Sequence, residues 1–540
     1  MSSEIRSYVS RYVVPFYFDF ENSGYEILRK HFINKTETDN KALGLPKGKW
    51  VNAADKETQA EMDIYSYLPS VFLEEKNINK KDISNLGISL EYETSGKLFE
   101  LEYRYEGKNI AFDCKDLGLL LLRNGIGFIW YETRFKNEIS LDEYVGFQHD
   151  FKELARTHAD TFLKKVTVVK DSTKDPKKVR KEDIETKHEP FCLGEWLSKV
   201  IEADSLGIRF WAERKTKQGD GNISRIPDKA LLFQYLFVEQ MTDHERNNLL
   251  FRITNGYNEK YNAPEDIAEK LYKPFGNVCY YVSKAGMACV VKNVDTNEAF
   301  FAGQFREKFV RDYFFIYLLL AYQSYSCAHY SRLLTKLPAD EELFNEQLMY
   351  ADKLESLNGE INLFLVKSVF ESVSNIHQQN EIYRFGKTAL RIEEDIRSLT
   401  IGLGALEEMV NDKRKQKEQK EREAEKEEKE ERYRKEQARK EAEDEIEEKR
   451  DRKINRALSV FGLMVVVSAL IDGLNLVDWF MKPRRNINSW HVVICVVIVI
   501  LTLYLIFNLL RNRNNRCDCQ RESQSTIPQG RKGCLDHIHR

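Results

Sequence analysis

Two groups of side chains near the C-terminus have the types and spacing for chemistry. Asp472 and Asn475 enclose Gly473 and Leu474 at the far end of an otherwise apolar segment. A carboxylate and an amide are costly in hydrocarbon, so they face a pore, or bridge to a neighbouring helix. Cys517, Cys519, Cys534, His537 and His539 supply enough donors for a tetrahedral zinc-like site. Their spacing, C-x-C followed by a long gap and C-x-x-H-x-H, follows no standard ligand pattern. From Arg511 onward the tail has a net charge of +4, seven Arg/Lys less three Asp/Glu, which suits an anionic lipid leaflet equally well.

Other signatures of catalysis are missing, and no enzyme activity is expected. Gly44-Leu45-Pro46-Lys47-Gly48-Lys49 has the wrong glycine spacing for a phosphate-binding loop, and no Ser or Thr follows Lys49. The chain has no His-Glu-x-x-His and no Gly-x-Ser-x-Gly. His329, among Tyr322, Tyr325 and Tyr330, reads as a satisfied core or interface residue.

The elements that position Asp472 and Asn475 are two apolar segments, 457–476 and 490–510, joined by a loop at 477–489. Each has about the 20 residues that a helix rising 1.5 Å per residue needs to cross roughly 30 Å of hydrocarbon. Ahead of them lies a charged tract, 411–456. From Lys413 to Lys453 its non-polar or aromatic residues are Ala424, Tyr433, Ala438, Ala442 and Ile446, too few for a coiled-coil core. Glu425/Lys429, Glu431/Lys435 and Glu436/Lys440 are spaced to support a solvated helix at about 0.2–0.5 kcal/mol per pair. The tract reads as a rod about 60 Å long, either a passive spacer or disordered tract, or a stalk that passes motion along. It meets Ala457 without Gly or Pro, which favours mechanical continuity.

Residues 303–410 have helical character. Phe314 to Tyr322 is strongly apolar but only nine residues long, which suits a buried helix better than a span. Val366, Val369, Phe370, Val373 and Ile376 have the spacing of one helical face. Ile392, Ile396, Leu399, Leu403, Leu406 and Val410 step by 4, 3, 4, 3 and 4, a heptad seam where helices meet within or between subunits. Gly402 and Gly404 interrupt it, for a hinge or for close helix packing.

Residues 1–302 alternate strands with helical patches and read as an α/β sensor-like domain, with room for two subdomains. Strands are expected at Leu98 to Tyr105, Ile110 to Cys114, Gly125 to Phe135, Val166 to Val169, Ile208 to Trp211 and around Gly286; Lys170 to Lys187 reads as an exposed loop. The run Tyr12 to Phe18 is interrupted by Pro15 and preceded by Glu4 and Arg6, so it is not expected to be a signal peptide. Nine cysteines without a framework spacing fit reduced thiols. Arg450, Arg452, Lys453 and Arg456 precede the first span, and Arg511, Arg513 and Arg516 follow the second, against three basic residues in the loop, a small bias that agrees with both termini being cytoplasmic. A net charge of -3 over 540 residues nominates no direct nucleic-acid partner.

A long helix, a first span ending in Gly473-Leu474-Asn475, a short loop and a final span resemble the CorA-type divalent-cation channels, whose first span ends in Gly-Met-Asn. The resemblance implies an α/β cytoplasmic domain, a long helical stalk and two C-terminal transmembrane helices in the inner membrane. It also implies a homo-oligomer, pentameric in the family though a tetramer stays open here. Asp472, Gly473, Leu474 and Asn475 would form the pore mouth and a divalent cation would be the permeant ion. The family's outer loop is acidic; here Lys482, Arg484 and Arg485 outweigh Asp478, which disfavours divalent cations at the entrance unless these residues contact lipid headgroups. Some divergent relatives act beside type III CRISPR systems in antiviral defence, gated by a nucleotide second messenger, and such an activating ligand is the expectation here. The alternatives are a membrane-tethered scaffold without conductance and an ordinary magnesium transporter.

Overall fold

A computed structural model of the chain describes residues 4–19, 24–42, 45–53, 63–64, 68, 72, 86–94, 98–105, 108–155, 161–165, 187–190, 192–217, 223–239, 241–293, 298–336, 347–481, 496–497, 499–500 and 503–504. The chain divides into two units, Met1–Gln419 and Lys420–Arg540. The first is an α/β domain. Its N-terminal part contains β1 (Ile5–Tyr17), α1 (Gly24–Ile33), α2 (Glu37–Ala42), β2 (Gly48–Asn52), β3 (Gly87–Thr94), β4 (Phe99–Tyr105), β5 (Lys108–Leu122) and β6 (Ile126–Phe135). There follow α3 (Leu141–Phe151), β7 (Thr161–Lys165), β8 (Lys187–Pro190), α4 (Leu193–Val200), β9 (Arg209–Phe210), β10 (Glu213–Lys217), β11 (Ile223–Pro227) and β12 (Leu231–Val238). Then come α5 (Asp243–Asn255), β13 (Tyr272–Phe275), β14 (Val278–Ser283), β15 (Gly286–Lys292), α6 (Phe314–Lys336), α7 (Gln347–Ser368), α8 (His377–Leu390) and α9 (Ile392–Met481).

Thirteen strands form one sheet, with the order β13-β14-β15-β12-β1-β6-β5-β4-β7-β8. β2 pairs with β3, β3 with β5, and β9 with β1. The pairings are antiparallel except β12 with β15. β1 lies near the middle, and its apolar run is buried on both faces, as an interior strand requires. Val9 and Val13 face one core; Tyr12, Val14 and Phe16 face the other. Pro15 is tolerated there because β12 pairs only as far as Val13 and β9 resumes at Phe16. The Pro15 carbonyl accepts from the Trp211 amide at 3.4 Å on that side, so the missing N–H falls in the gap between two partner strands.

Local chemistry sets several element ends. Ser140 with Glu143, and Thr242 with Glu245, form capping boxes that start α3 and α5. Gly256 ends α5 at φ +60, a conformation that costs a glycine nothing. The expected strands at 98–105, 110–114 and 125–135 are present within β4, β5 and β6; the expected strand at 166–169 and most of the loop at 170–187 lie outside the described residues.

One face of the sheet is covered by α1, α3, α4 and α5. The other is covered by the helical segment from Phe301 through the start of α9, and sheet and helices share that core. Two π-helical stretches, Phe300–Phe305 and Phe309–Tyr313, lead into α6. Phe314 to Tyr322 is buried throughout, as a core helix of this unit. Gly386 lets α8 approach α6, because a Cβ there would lie 2.3 Å from Leu320 Cδ1.

The face expected over Val366 to Ile376 does not form. α7 ends at Ser368, Val366 is 79% exposed, and Val373 is buried in the connection to α8. There the Asn380 side chain accepts from the amides of Val373 (2.8 Å) and Ser374 (2.9 Å), local bonds that hold the non-helical connection into α8.

Candidate functional site

α9 carries the candidate membrane chemistry. Its first turns use the heptad seam inside the chain. Ile392, Leu399, Leu403 and Leu406 are buried in the core shared with the sheet, and Ile396 and Val410 pack against it. The Asn358 amide of α7 donates to the Glu407 carboxylate of α9 at 2.6 Å. Gly402 and Gly404 meet nothing within 4 Å where a Cβ would stand, so neither serves close packing within the chain.

Farther along, the tract 411–456 is helical throughout and laced with Glu-to-Lys or Glu-to-Arg pairs one turn apart, such as Glu431–Lys435 at 2.7 Å and Glu448–Arg452 at 2.6 Å. These pairs are exposed and contribute little each; their number along one helix keeps a solvated rod helical.

From Leu458 to Leu470 the large apolar side chains of α9 are exposed, Leu463 at 69%. Among the described residues one helix, Ile392–Leu470, is long and apolar enough to cross a membrane. Asp472 and Gly473 are exposed on the helix that follows, which continues through Leu474 and Asn475 to Met481. Asp472 and Asn475, three residues apart, fall on one helical face. The helix therefore extends into the region expected as the outer loop, 477–489. Most of the second segment, 490–510, lies outside the described residues, as do Cys517, Cys519, Cys534, His537 and His539. Among the described residues no group of three His, Cys, Asp or Glu could hold a metal ion.

A second feature emerges only in three dimensions. A cavity of about 1020 Å³ opens between the sheet at β2, β3 and β5 and the helical segment that enters α6. Its sheet wall includes Arg11, Lys49, Ser89, Glu91 and Lys115, and its helical wall Val310, Arg311, Phe314 and Phe315. Arg11 of β1 stands opposite Glu132 of β6. Arg11 Nε donates to Glu132 at 3.0 Å, Nη1 donates to the Val310 carbonyl at 2.9 Å, and the guanidinium lies 4.6 Å from the centre of the Phe314 ring. Lys115 Nζ reaches the other Glu132 oxygen at 3.1 Å. Burial pushes the Glu132 carboxyl up, but Arg11 and Lys115 together hold it below the ordinary carboxylate value.

β5 is bulged between Lys115 and Gly118, with Asp116 at φ +51. Bulges re-aim side chains, and this one sets Lys115 and Asp116 in the cavity wall. Gly118 is required, since a Cβ there would sit 2.1 Å from Trp130 Cζ2. The sequence reading missed this site. Its signal was a lone Arg in the apolar run of β1 and a lone Glu in the aromatic run of β6.

His329 is a core residue. It is buried against Tyr17, Trp211 and Tyr330, and burial, with Arg332 and Lys336 nearby, pushes its pKa down to about 4. No protein-family model, no curated protein and no solved structure matches this chain.

Proposed function

We propose that this chain is one subunit of a CorA-like, homo-oligomeric membrane ion channel whose α/β domain lies in the cytoplasm and controls the pore. The observation that carries the reading is α9. It is one unbroken helix of 90 residues whose first turns are buried in the α/β core and whose later apolar stretch is exposed, ending beside Asp472. Exposed apolar side chains of this size each gain about 1.5–3 kcal/mol on leaving water, which a bilayer supplies. An inert anchor has no use for a carboxylate and an amide on one face of that helix. The second span, at 490–510, and gating by a small activating ligand, of which a nucleotide messenger in antiviral defence is one form, belong to the same proposal.

Ion flux into liposomes, measured in parallel with particle size in detergent, tests it. Wild type is expected to conduct, and Asp472→Ala and Asn475→Ala to change conductance or ion preference at unchanged particle size. Identical flux in all three proteins would remove this motif as the pore.

A second reading, a membrane-tethered sensor without conductance, is favoured by one observation. The heptad seam is filled by the chain's own core and does not by itself call for a second subunit. Wild-type liposomes that pass no ions, from a protein that sizes as a monomer, would select it.

A further inference from the structure

We propose that the cavity between the β2–β3–β5 region of the sheet and the entry to α6 binds a small, ring-bearing molecule with a single anionic group, carboxylate or phosphate. At about 1020 Å³ it has the size of a small-molecule site.

The anionic end is set by Arg11. Its side chain is only 10% exposed. Nε and Nη1 are used by Glu132 and Val310, and Nη2 has no acceptor among the described residues. A guanidinium held on two sides and free on the third presents N–H donors in a fixed plane, the geometry that carboxylate and phosphate oxygens fit. Lys115, anchored by Glu132 and steered by the bulge at Asp116, stands on the same wall. At the mouth, the exposed Lys49 has no ion-pair partner among the described residues.

The ring end is set by the apolar wall. Trp130 and Phe314 meet edge to face at 5.5 Å, and Phe72 and Phe315 meet at 5.1 Å. These four aromatic side chains line one cavity with Leu120 and Leu318, a surface that takes a planar ring by stacking or edge contact.

The charge count limits the anion. Five cationic side chains line the cavity, Arg11, Lys47, Lys49, Lys115 and Arg311, against four carboxylates, Glu37, Glu91, Glu93 and Asp116. Lys47 is already paired with Glu37, at 3.5 Å. Glu132, behind the wall, answers Arg11 and Lys115 and makes the count five against five, so a single anionic group rests on the open Arg11 donor and a polyphosphate is disfavoured.

Only the regulatory meaning of the site rests on the channel reading. Calorimetric titration of the full chain in detergent with AMP, indole-3-acetate, ATP and inorganic phosphate tests the binding itself. AMP or indole-3-acetate is expected to bind, ATP at least tenfold more weakly than AMP, and inorganic phosphate more weakly still. Binding of AMP alone identifies a phosphate ligand, and of indole-3-acetate alone a carboxylate. Arg11→Lys is expected to weaken binding tenfold or more. Because it also disturbs the Glu132 pair, two further variants keep the test decisive: Lys49→Glu at the exposed mouth, expected to weaken binding severalfold, and Ser89→Phe, expected to abolish it by filling the cavity. Absence of heat from both ring-bearing anions at millimolar concentration overturns the proposal, as does unchanged binding in both Lys49→Glu and Ser89→Phe. No flux enters this measurement, so a non-conducting protein leaves the site standing, and a missing ligand leaves the pore motif to its own test.

Discussion

Arg11 and Glu132 face one another across adjacent interior strands, joined at 3.0 Å where both side chains are withdrawn from water. Removing one member of a buried pair strands the other charge, at a cost of about 3–5 kcal/mol, whereas replacing both with apolar groups of similar volume is often neutral. Because Lys115 still reaches Glu132 at 3.1 Å, Arg11→Met is expected to destabilise the α/β unit by less than that full amount in urea unfolding. Arg11→Met/Glu132→Met should recover most of the loss, because Lys115, the remaining partner, is a third exposed. A double variant as unstable as the single one would mean that Lys115 by itself already compensates the Glu132 charge once Arg11 is gone.

The same carboxyl predicts an acid limb. Its folded pKa lies below the ordinary value of 4.5, so the folded state binds fewer protons than the unfolded chain in the interval between the two. The stabilisation is fully present above pH 4.5 and is lost as pH falls through the lower folded value. Unfolding free energy followed from pH 6 down to about pH 3 should show a slope that Glu132→Gln reduces.

His329 predicts a different window. Its folded pKa of about 4 lies below the ordinary 6.5, so between them the unfolded chain binds the extra proton. Stability contributed by the neutral ring is complete above pH 6.5 and declines as pH falls toward 4, by up to about 3 kcal/mol at 1.36 kcal/mol per pKa unit. His329→Phe should flatten stability between those limits. A wild-type curve already flat there would show that the imidazole charges without penalty.

Backbone conformation predicts two stabilising changes of opposite chemistry. Arg391, between α8 and α9, holds φ +59, a left-handed conformation that costs a side-chain-bearing residue about 1–2 kcal/mol. After allowance for the greater freedom of an unfolded glycine, Arg391→Gly should stabilise by about 0.5–1 kcal/mol. Gly402→Ala and Gly404→Ala should each add up to about 1 kcal/mol, since a methyl group meets open space at both positions within the chain. Thermal unfolding midpoints check all three; a drop for either alanine variant would reveal another helix packed on those glycines.

Two aspartate substitutions separate folding from assembly. Leu399 is 2% exposed in the core of its own chain, so Leu399→Asp should destabilise the α/β unit by several kcal/mol, as a buried unpaired charge does. Ile401, two positions on, is 66% exposed, and Ile401→Asp should leave that unit's unfolding curve in place. If subunits meet on this outer face, Ile401→Asp alone will lower the particle mass in detergent; mass unchanged in Ile401→Asp moves the subunit contact elsewhere.

Much of the helical part was legible from spacing alone. Period and length, both local properties, identify the seam from Ile392 to Val410, the solvated Glu/Lys rod and the apolar stretch ending at Asp472. They also identify Phe314 to Tyr322, too short to span, as a core helix. Where a local bond competes with periodicity, the spacing misleads. Val366 and Val373 share a helical phase in the sequence, yet the helix ends at Ser368 and the Asn380 side chain holds Val373 in the connection that follows. In the sequence, the run Tyr12 to Phe18 is weighed only as a signal peptide, and its place as an interior strand depends on β12 and β9, whose junction accommodates Pro15 from more than 190 residues away. Which side of the seam is filled, and by what, was likewise undetermined, since a heptad pattern records that a face is covered without recording whose side chains cover it. The cavity was the least legible feature of all. Arg11, Lys49, Lys115 and Phe314 are separated along the chain by dozens to hundreds of residues, and no local period couples them. Sheet register brought Arg11 opposite Glu132, and the packing of α6 over one face left open the space beside them.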